Sequence, residues 1–284
     1  MKCPLCSSSD SKQSWMGATR YGEIRYEYQE CLRCGSMFVH PMPDEMTLAR
    51  MYGEDYVQFL SSEEAHSGDE GTNSVLDELD KYGKGNFLDY GCGGGHLLRE
   101  STARGWTCYG VDFARSATHA VTTYQIVGKL AAIPEEISFD AIHLGDVIEH
   151  LPEPDRDLPE LISRMKPHGI FVAQGPLEAN FNMFLEGLRM KKLLKNTDST
   201  MPPYHVSLAT GTGQRALFSR LGLKTIRFDV FETAHPAPES LSPKDLSDVR
   251  KTFLFALRKM SRTLSPLLNS SAGNRYFYVG ERVD

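Results

Sequence analysis

Hydrophobic positions along the 284-residue chain change their spacing near residue 85. Beyond it, short apolar runs alternate with segments whose apolar residues recur at helical spacing, which is typical of strands followed by helices. Strands are predicted at 86–90, 106–112, 125–131, 139–144, 169–173, 223–231 and 275–282. Helices are predicted at 96–104, 116–124, 158–165 and 214–221. This order predicts an α/β fold with a mostly parallel sheet and helices on both faces.

Residues 1–84 lack this alternation. The mixed aromatic and charged stretch 21–28 is predicted as a short exposed strand, and 40–43 as a linker. Residues 44–82 are predicted to be helical at both ends, around a polar loop at 61–74. The chain is therefore divided into 1–42, a helical linker or lid at 43–84, and a large domain at 85–284. That domain carries insertions at about 178–204 and 236–272.

Charge and hydropathy narrow the functional class. The net charge of −6 argues against a protein that mainly grips nucleic acid. No run of eighteen apolar residues is present, which predicts that nothing spans a membrane. The first six residues lack the apolar core of a signal peptide. A cytoplasmic location is expected.

Four of the six cysteines form two C-x-x-C pairs, Cys3 with Cys6 and Cys31 with Cys34. In a chain without a secretion signal this spacing predicts zinc, since each turn presents two thiolates to one ion. Four thiolates leave no open coordination position, so the zinc should be structural. We interpret residues 1–42 as a zinc ribbon and prefer a scaffold or lid role for it. RNA binding through its arginines and tyrosines is the alternative, which its glutamates weaken.

A glycine-rich turn follows the first predicted strand of the large domain, in the run Leu88-Asp-Tyr-Gly-Cys-Gly-Gly-Gly95. Glycines permit positive φ and let the backbone approach a ligand closely. Asp112 ends the next strand about twenty residues on, where a carboxylate can bind ribose hydroxyls. Taken alone, the glycines also fit a plain tight turn or a dinucleotide-binding fold.

Together the runs 88–95, 111–113 and 139–152 resemble the class I S-adenosylmethionine-dependent methyltransferases, in that family's order and spacing. The resemblance covers Val75 to about Arg282. It implies a Rossmann-like sheet of seven strands, the last one antiparallel, and S-adenosylmethionine as cofactor. The N-terminal cysteine pairs also resemble a subgroup in which a zinc ribbon precedes the catalytic domain, with members acting on sugars and natural-product intermediates.

The resemblance implies roles for residues of these runs. The glycines would line the methionine end of the cofactor, and Asp89 would help hold its amino group. Asp112 would bind both ribose hydroxyls, while the third strand lacks the acid that many members place near adenine. The full implied cofactor set is Asp89, Gly91, Cys92, Gly93, Gly95, Asp112, Phe113, Gly145 and Asp146.

His150 is the first candidate on the acceptor side. It follows Asp146 and Glu149, and a helical turn would put the three on one face. His150 is interpreted as a general base, the three residues as a metal site, or Glu149 and His150 as organisers of the cofactor loop. His143, inside a predicted strand, is interpreted as a buried structural residue.

His205 is the second candidate, beside Tyr204 and two prolines that would fix its approach. Members of the resembled family often place a histidine here, facing the acceptor. The interpretation is a catalytic or substrate-contacting residue, with helix capping or a structural hydrogen bond as the alternative.

Two apolar stripes remain. The stripe at 181–194 is interpreted as a cover over the acceptor or as an amphipathic helix packed on the core. The stripe at 246–264, after a predicted cap at Ser242-Pro243, is assigned to core packing or a homodimer interface rather than a membrane surface.

The sequence thus predicts methyl transfer from S-adenosylmethionine to a small hydroxylated acceptor such as a sugar or natural-product intermediate, with O-methylation preferred. Alternatives are C-methylation of a sugar, methylation of RNA, and a non-catalytic zinc-binding interaction module.

Overall fold

The structure is a computed structural model that describes residues 1–52, 70–113, 119–121, 123–181, 202–232, 241–242, 245–264 and 272–283. The chain forms two compact units, each assembled from separate segments. The sheet unit comprises 43–174, 218–227 and 278–284, and the cysteine unit comprises 1–42, 175–217 and 228–277. The segment 43–84 therefore belongs with the sheet, while both insertions expected from the sequence fall in the cysteine unit.

The strands are β1 (Ser11–Tyr21), β2 (Ile24–Cys31), β3 (Met37–His40), β4 (Asn86–Tyr90), β5 (Thr107–Val111), β6 (His119–Val121), β7 (Tyr124–Val127), β8 (Phe139–Gly145), β9 (Met165–Pro176), β10 (Ser207–Leu208), β11 (Lys224–Phe231) and β12 (Arg275–Glu281). The α-helices are α1 (Glu45–Met51), α2 (Glu70–Leu79), α3 (His96–Ala103), α4 (Pro154–Ser163), α5 (Gly211–Arg220) and α6 (Val249–Leu264). Short 3₁₀ turns lie at 80–82, 130–132, 148–150 and 245–247.

The large sheet has the strand order β11-β12-β9-β8-β4-β5-β7-β6. Pairing is parallel between β4 and β5, β4 and β8, β5 and β7, and β8 and β9. Strand β12 runs antiparallel to β9, because hydrogen bonds join His168 to Arg282 and Leu177 to Asn274. Seven of the strands form the predicted Rossmann-like sheet, which is confirmed; the short antiparallel β6 is an addition.

The core of the sheet unit lies along the central strands. Phe87 and Leu88 on β4, Ile142 on β8 and Phe171 on β9 are fully buried. Consecutive residues of a strand point to opposite faces, so burial of both Phe87 and Leu88 means that both faces are covered. This agrees with the expected helices on both sides. The carboxyl ends of β4, β5 and β8 consequently emerge at one edge, where ligands bind in such folds.

A four-stranded sheet of order β1-β2-β3-β10 organises the cysteine unit. Strands β1 and β2 form a hairpin whose turn contains Gly22 at φ +58°. Its fourth strand comes from far along the chain: Ser207 pairs with Phe38 and Leu208 with Met37. The short strand predicted at 21–28 is wrong in its bounds, since Tyr21 ends β1 and β2 begins only at Ile24.

The predicted helix at 116–124 and the predicted loop at 61–74 are also corrected. The helix predicted at 116–124 is wrong at 119–121 and at Tyr124, which lie in β6 and β7; residues 114–118 lie outside the described residues. Val121 belongs to a β-branched run with two threonines, which favours strand over helix. The loop predicted at 61–74 is wrong at 70–74, the first turn of α2, and 61–69 are not described.

Helix α6 begins later than its predicted cap. The side chain of Asp248, rather than Ser242, accepts the Lys251 N–H and caps the helix. The stripe on this segment is exposed at Leu246, Val249, Phe253 and Met260, so core packing is wrong for those four side chains. Residues 182–200, which hold most of the 181–194 stripe, lie outside the described residues. Of the helices described, none is long and apolar enough to cross a membrane.

Candidate active site

The glycine turn after β4 is fixed to the neighbouring strand by its backbone. The N–H groups of Gly91 and Cys92 both donate to the Val111 carbonyl at the end of β5, at 2.7 and 3.1 Å. Gly91, Gly93 and Gly95 have φ values of +82°, +49° and +77°. These left-handed conformations explain the glycines, because a Cβ strains them.

Gly91 and Gly93 have different surroundings. A Cβ on Gly91 would lie 2.3 Å from Val147 Cγ2, so backbone and side chain are in close contact there. A Cβ on Gly93 would meet nothing within 4 Å. The turn therefore has one packed side and one open side. Cys92 is 8 % exposed and its Sγ lies near the Cα of Gly110, so its thiol is packed inside the sheet unit.

Asp112 and Phe113 follow β5 directly and lie beside this turn. Asp112 Oδ2 accepts the Gly93 N–H at 2.7 Å. Phe113 is 60 % exposed and makes an edge-to-face contact with Tyr90 at 5.6 Å. A carboxylate and an exposed aromatic ring next to an open glycine backbone match the chemistry of an adenosine, which offers ribose hydroxyls and a planar base.

Asp89, on β4, is engaged with a histidine. Its Oδ1 accepts a hydrogen bond from His143 Nδ1 at 2.8 Å, and both side chains are only 6 % exposed. The burial of His143 agrees with its interpretation as an interior residue. The carboxylate expected to hold an amino group is therefore bound at one oxygen by a partner 54 positions away.

Strand β8 leads into the next segment predicted to bind the cofactor. Gly145 ends the strand, and Asp146 adopts φ +53° with its N–H donating to Gln174 O at 3.0 Å. The following turn at 148–150 is 3₁₀ and excludes Asp146, so the shared helical face does not form. Within the described residues, Asp146, Glu149 and His150 are not a group whose ligand atoms lie close enough for one metal.

His150 has an aromatic partner. Its Nδ1 shares a hydrogen bond of 2.6 Å with the hydroxyl of Tyr52, the residue that follows α1 as its C-cap, and the rings meet edge to face. Thus segment 43–84 contributes directly to the position of this candidate base.

His205 lies in the cysteine unit, just before β10. Its Nδ1 is 2.6 Å from Glu178 Oε2, and about a third of each side chain is exposed. Burial and, second, the negative charge of Glu178 raise the pKa of Tyr28 on β2. Tyr204 N–H donates to Pro202 O, which shapes the approach to the histidine. The structure thus supplies His205 with a carboxylate partner.

The four paired cysteines converge. Their sulfurs all lie within 4.8 Å of one another, all four residues are buried, and none is in a disulfide. Cys3 and Cys34 are 3.8 Å apart and Cys6 and Cys31 are 3.4 Å apart. Zinc–sulfur bonds of about 2.3 Å in a tetrahedron require sulfurs roughly 3.8 Å apart, which these thiols fit. A hydrogen bond from Cys3 lowers the pKa of Cys34 well below its usual range.

The turn from Cys31 to Ser36, here called the cysteine knuckle, is hydrogen-bonded to the segment before α5. Thr210 Oγ1 donates to Cys34 O at 2.6 Å, and Ser36 Oγ accepts the Thr210 N–H at 3.0 Å. A Cβ on Gly213 would lie 2.2 Å from Ser36 Oγ and 3.3 Å from Cys34 Sγ. Helix α5 therefore packs against the knuckle so closely that only glycine fits.

Comparison with known proteins decides the family. A family model described as a methyltransferase domain matches residues 54–227, more than half of the chain. The chain belongs to this family. It is an S-adenosylmethionine-dependent methyltransferase with the Rossmann-like, mostly parallel sheet described above.

Three solved structures are similar to this chain at low sequence identity. The cyclase SpnF is 13 % identical with a TM-score of 0.50, covering 84 % of this chain and 96 % of its own. A SAM-dependent methyltransferase from Archaeoglobus fulgidus is 18 % identical, with a TM-score of 0.43 and coverages of 78 % and 99 %. The plantazolicin methyltransferase BamL is 14 % identical, with a TM-score of 0.45 and coverages of 85 % and 92 %. Curated proteins give no match.

Several partners of the candidate residues could not be found from the sequence. Glu178, Tyr52 and Thr210 each contact a candidate residue from a distant part of the chain. None stands in a recognisable motif, and the sequence separations vary from 27 to 176 positions, so no local spacing could reveal them. Only the folded chain brings each of them to its partner.

The glycine turn yields a matched pair of substitutions. We expect Gly91→Ala to lower the free energy of unfolding by about 2–5 kcal/mol, because left-handed strain adds to the contact with Val147. Gly93→Ala should cost only about 1–2 kcal/mol, since its methyl enters open space. Urea unfolding measures both. Equal losses for the two variants would contradict the packed and open sides described for the turn.

Proposed function

We propose that this methyltransferase binds S-adenosylmethionine with the turn 91–95 and Asp112, and transfers its methyl group to a hydroxyl of a small acceptor such as a sugar or natural-product intermediate. The observation that carries the cofactor assignment is the Asp112 carboxylate held at the open side of the glycine turn. When bound, the cofactor supplies the electrophilic methyl group. The residues of the chain bind the cofactor, orient the acceptor and remove the proton of its hydroxyl.

The cofactor contacts follow from charge and exposure. The Asp112 carboxylate accepts from both ribose hydroxyls, a charge-assisted arrangement. Phe113 covers the adenine with its exposed ring. Gly145 and the left-handed Asp146 present backbone to the methionyl portion, as do Gly91, Cys92, Gly93 and Gly95.

The preference for a hydroxyl acceptor rests on the His205–Glu178 pair. A hydroxyl is a poor nucleophile until a base removes its proton. Because the carboxylate accepts from Nδ1, His205 takes the acceptor proton at Nε2, and Glu178 stabilises the resulting imidazolium. His150 is the second candidate base, held by Tyr52. Positioning supplies much of the remaining rate enhancement, since methyl transfer is an in-line displacement.

We further propose that Cys3, Cys6, Cys31 and Cys34 hold one structural zinc. The support is the fit of the sulfur spacings to a tetrahedral site and the burial of all four residues. Through Thr210 and β10, this zinc would fix the segment that carries His205. Zinc would then act on turnover through His205, without touching the cofactor.

Other acceptors are less well supported. Methylation of RNA would favour a basic surface, whereas the net charge is −6. We also propose a homodimer, because the apolar side chains exposed on α6 would suit an interface between two copies of the chain. C-methylation of a sugar would use the same cofactor region, and the structure of the reaction product distinguishes it from O-methylation.

Binding of S-adenosylhomocysteine, measured by calorimetry, tests the cofactor assignment. Asp112→Asn should weaken it by about a hundredfold, because two charge-assisted hydrogen bonds are lost. The matched control is Asp77→Asn, whose side chain is 73 % exposed, and which should bind like the wild type. Absence of binding by the wild type would overturn the proposed site.

Metal analysis tests the zinc proposal. Purified protein should contain about one zinc per chain, and Cys34→Ser should lose it. Cys108→Ser is the control, because Cys108 is buried but outside the cluster and should retain zinc. The Cys34 variant should lose turnover while its affinity for S-adenosylhomocysteine stays within about twofold. A metal-free wild-type protein would contradict the proposal.

The acceptor side requires a screen of sugars, nucleotide sugars and hydroxylated natural products for S-adenosylhomocysteine formation. With the acceptor that is turned over, His205→Gln and Glu178→Gln should each lower kcat by about a hundredfold or more, with S-adenosylhomocysteine affinity unchanged. His168→Gln, at a largely exposed histidine, is the control. If both variants turned over normally and His150→Gln lost turnover, the general base would be His150 rather than His205.

A further inference from the structure

The buried pair of Asp89 and His143 has a defined geometry. The two residues are register partners on the adjacent parallel strands β4 and β8, so their side chains lie on the same face of the sheet. His143 Nδ1 lies 2.8 Å from Asp89 Oδ1. An ionised carboxylate can only accept, so Nδ1 carries the proton of this hydrogen bond.

The other ring nitrogen of His143 lacks a partner. Nε2 is buried and has no hydrogen bond to any part of the chain that the structure describes. A buried polar atom without a hydrogen bond destabilises the folded state, and such atoms in native proteins call for an explanation. A group that supplied the missing hydrogen bond would recover this free energy.

The position of Nε2 indicates where such a group would come from. A Cβ on Gly145 would lie 2.8 Å from His143 Cε1 and 3.2 Å from Nε2. The absence of a side chain at Gly145 therefore leaves room for the imidazole edge at the carboxyl end of β8. Asp146 and the glycine turn belong to this same end of the sheet, where the proposed function puts the methionyl portion of the cofactor.

We propose that His143 is a cofactor-binding residue whose Nε2 accepts a hydrogen bond from the α-amino group of the methionyl portion, and that Asp89 is the positioning residue that holds the imidazole. The inference rests on the proposed cofactor site. When Nε2 carries no proton and can accept, the carboxylate–imidazole pair is anionic, which complements an ammonium group rather than a carboxylate. Asp89 then acts through the imidazole.

Two ligands separate this role from a structural one. S-Adenosylhomocysteine carries the amino-acid end, whereas 5′-methylthioadenosine keeps the adenosine and sulfur without it. In His143→Asn the amide can still donate to Asp89 in place of Nδ1, but Nε2 is gone. Calorimetry should show about tenfold weaker binding of S-adenosylhomocysteine and unchanged binding of 5′-methylthioadenosine.

The controls make the outcomes distinct. His168→Asn, the same change at a largely exposed site, should bind both ligands like the wild type. Wild-type affinity of His143→Asn for both ligands, or an equal loss for both, would overturn the inference and leave the cofactor site intact. Failure of the wild type to bind either ligand would instead overturn the proposed function.

Analogues of S-adenosylhomocysteine test the group that is bound. For the analogue without the amino group, wild type and His143→Asn should bind equally, because the hydrogen bond is absent from both. For the decarboxylated analogue, the tenfold difference should persist. The reverse pattern would mean that His143 contacts the carboxylate and would overturn the assignment to the amino group.

Discussion

The carbonyl oxygen of Val111 accepts hydrogen bonds from the N–H groups of Gly91 and Cys92 in the glycine turn, and the proposed cofactor site depends on this one acceptor. The two hydrogen bonds tie the exit of β4 to the end of β5. The next residue, Asp112, is thereby delivered beside the turn, where its carboxylate accepts the Gly93 N–H. Parallel pairing is the underlying constraint, because only parallel neighbours end at the same edge of a sheet.

Each unit of the methyltransferase contains a carboxylate–imidazole pair, and burial separates what the two can do. Asp89 and His143 are 6 % exposed, so water could not solvate a change of charge on either side chain, and that change would be costly. Glu178 and His205 are about a third exposed, and a proton can move between that imidazole and its surroundings at lower cost. The first arrangement suits fixed binding, the second acid–base chemistry.

Local sequence predicted most of the Rossmann-like sheet and the convergence of the four cysteines, because glycine turns, buried strands and C-x-x-C knuckles act over a few residues. It failed at 119–124, where the β-branched run and pairing with β5 outweigh helical spacing. The polar partners Glu178 and Tyr52 were missed for a different reason. Their contacts depend on chain segments that only the folded arrangement brings together.

The two residues of β10 complete the sheet that the N-terminal hairpin and β3 begin, while Thr210 and Gly213 fit against the cysteine knuckle. The first 42 residues consequently do not form a module that is separate from the rest of the chain. A recombination event that replaced them alone would leave 207–213 facing a foreign surface. Replacement of residues 1–42 would therefore require a compensating change in that internal segment as well.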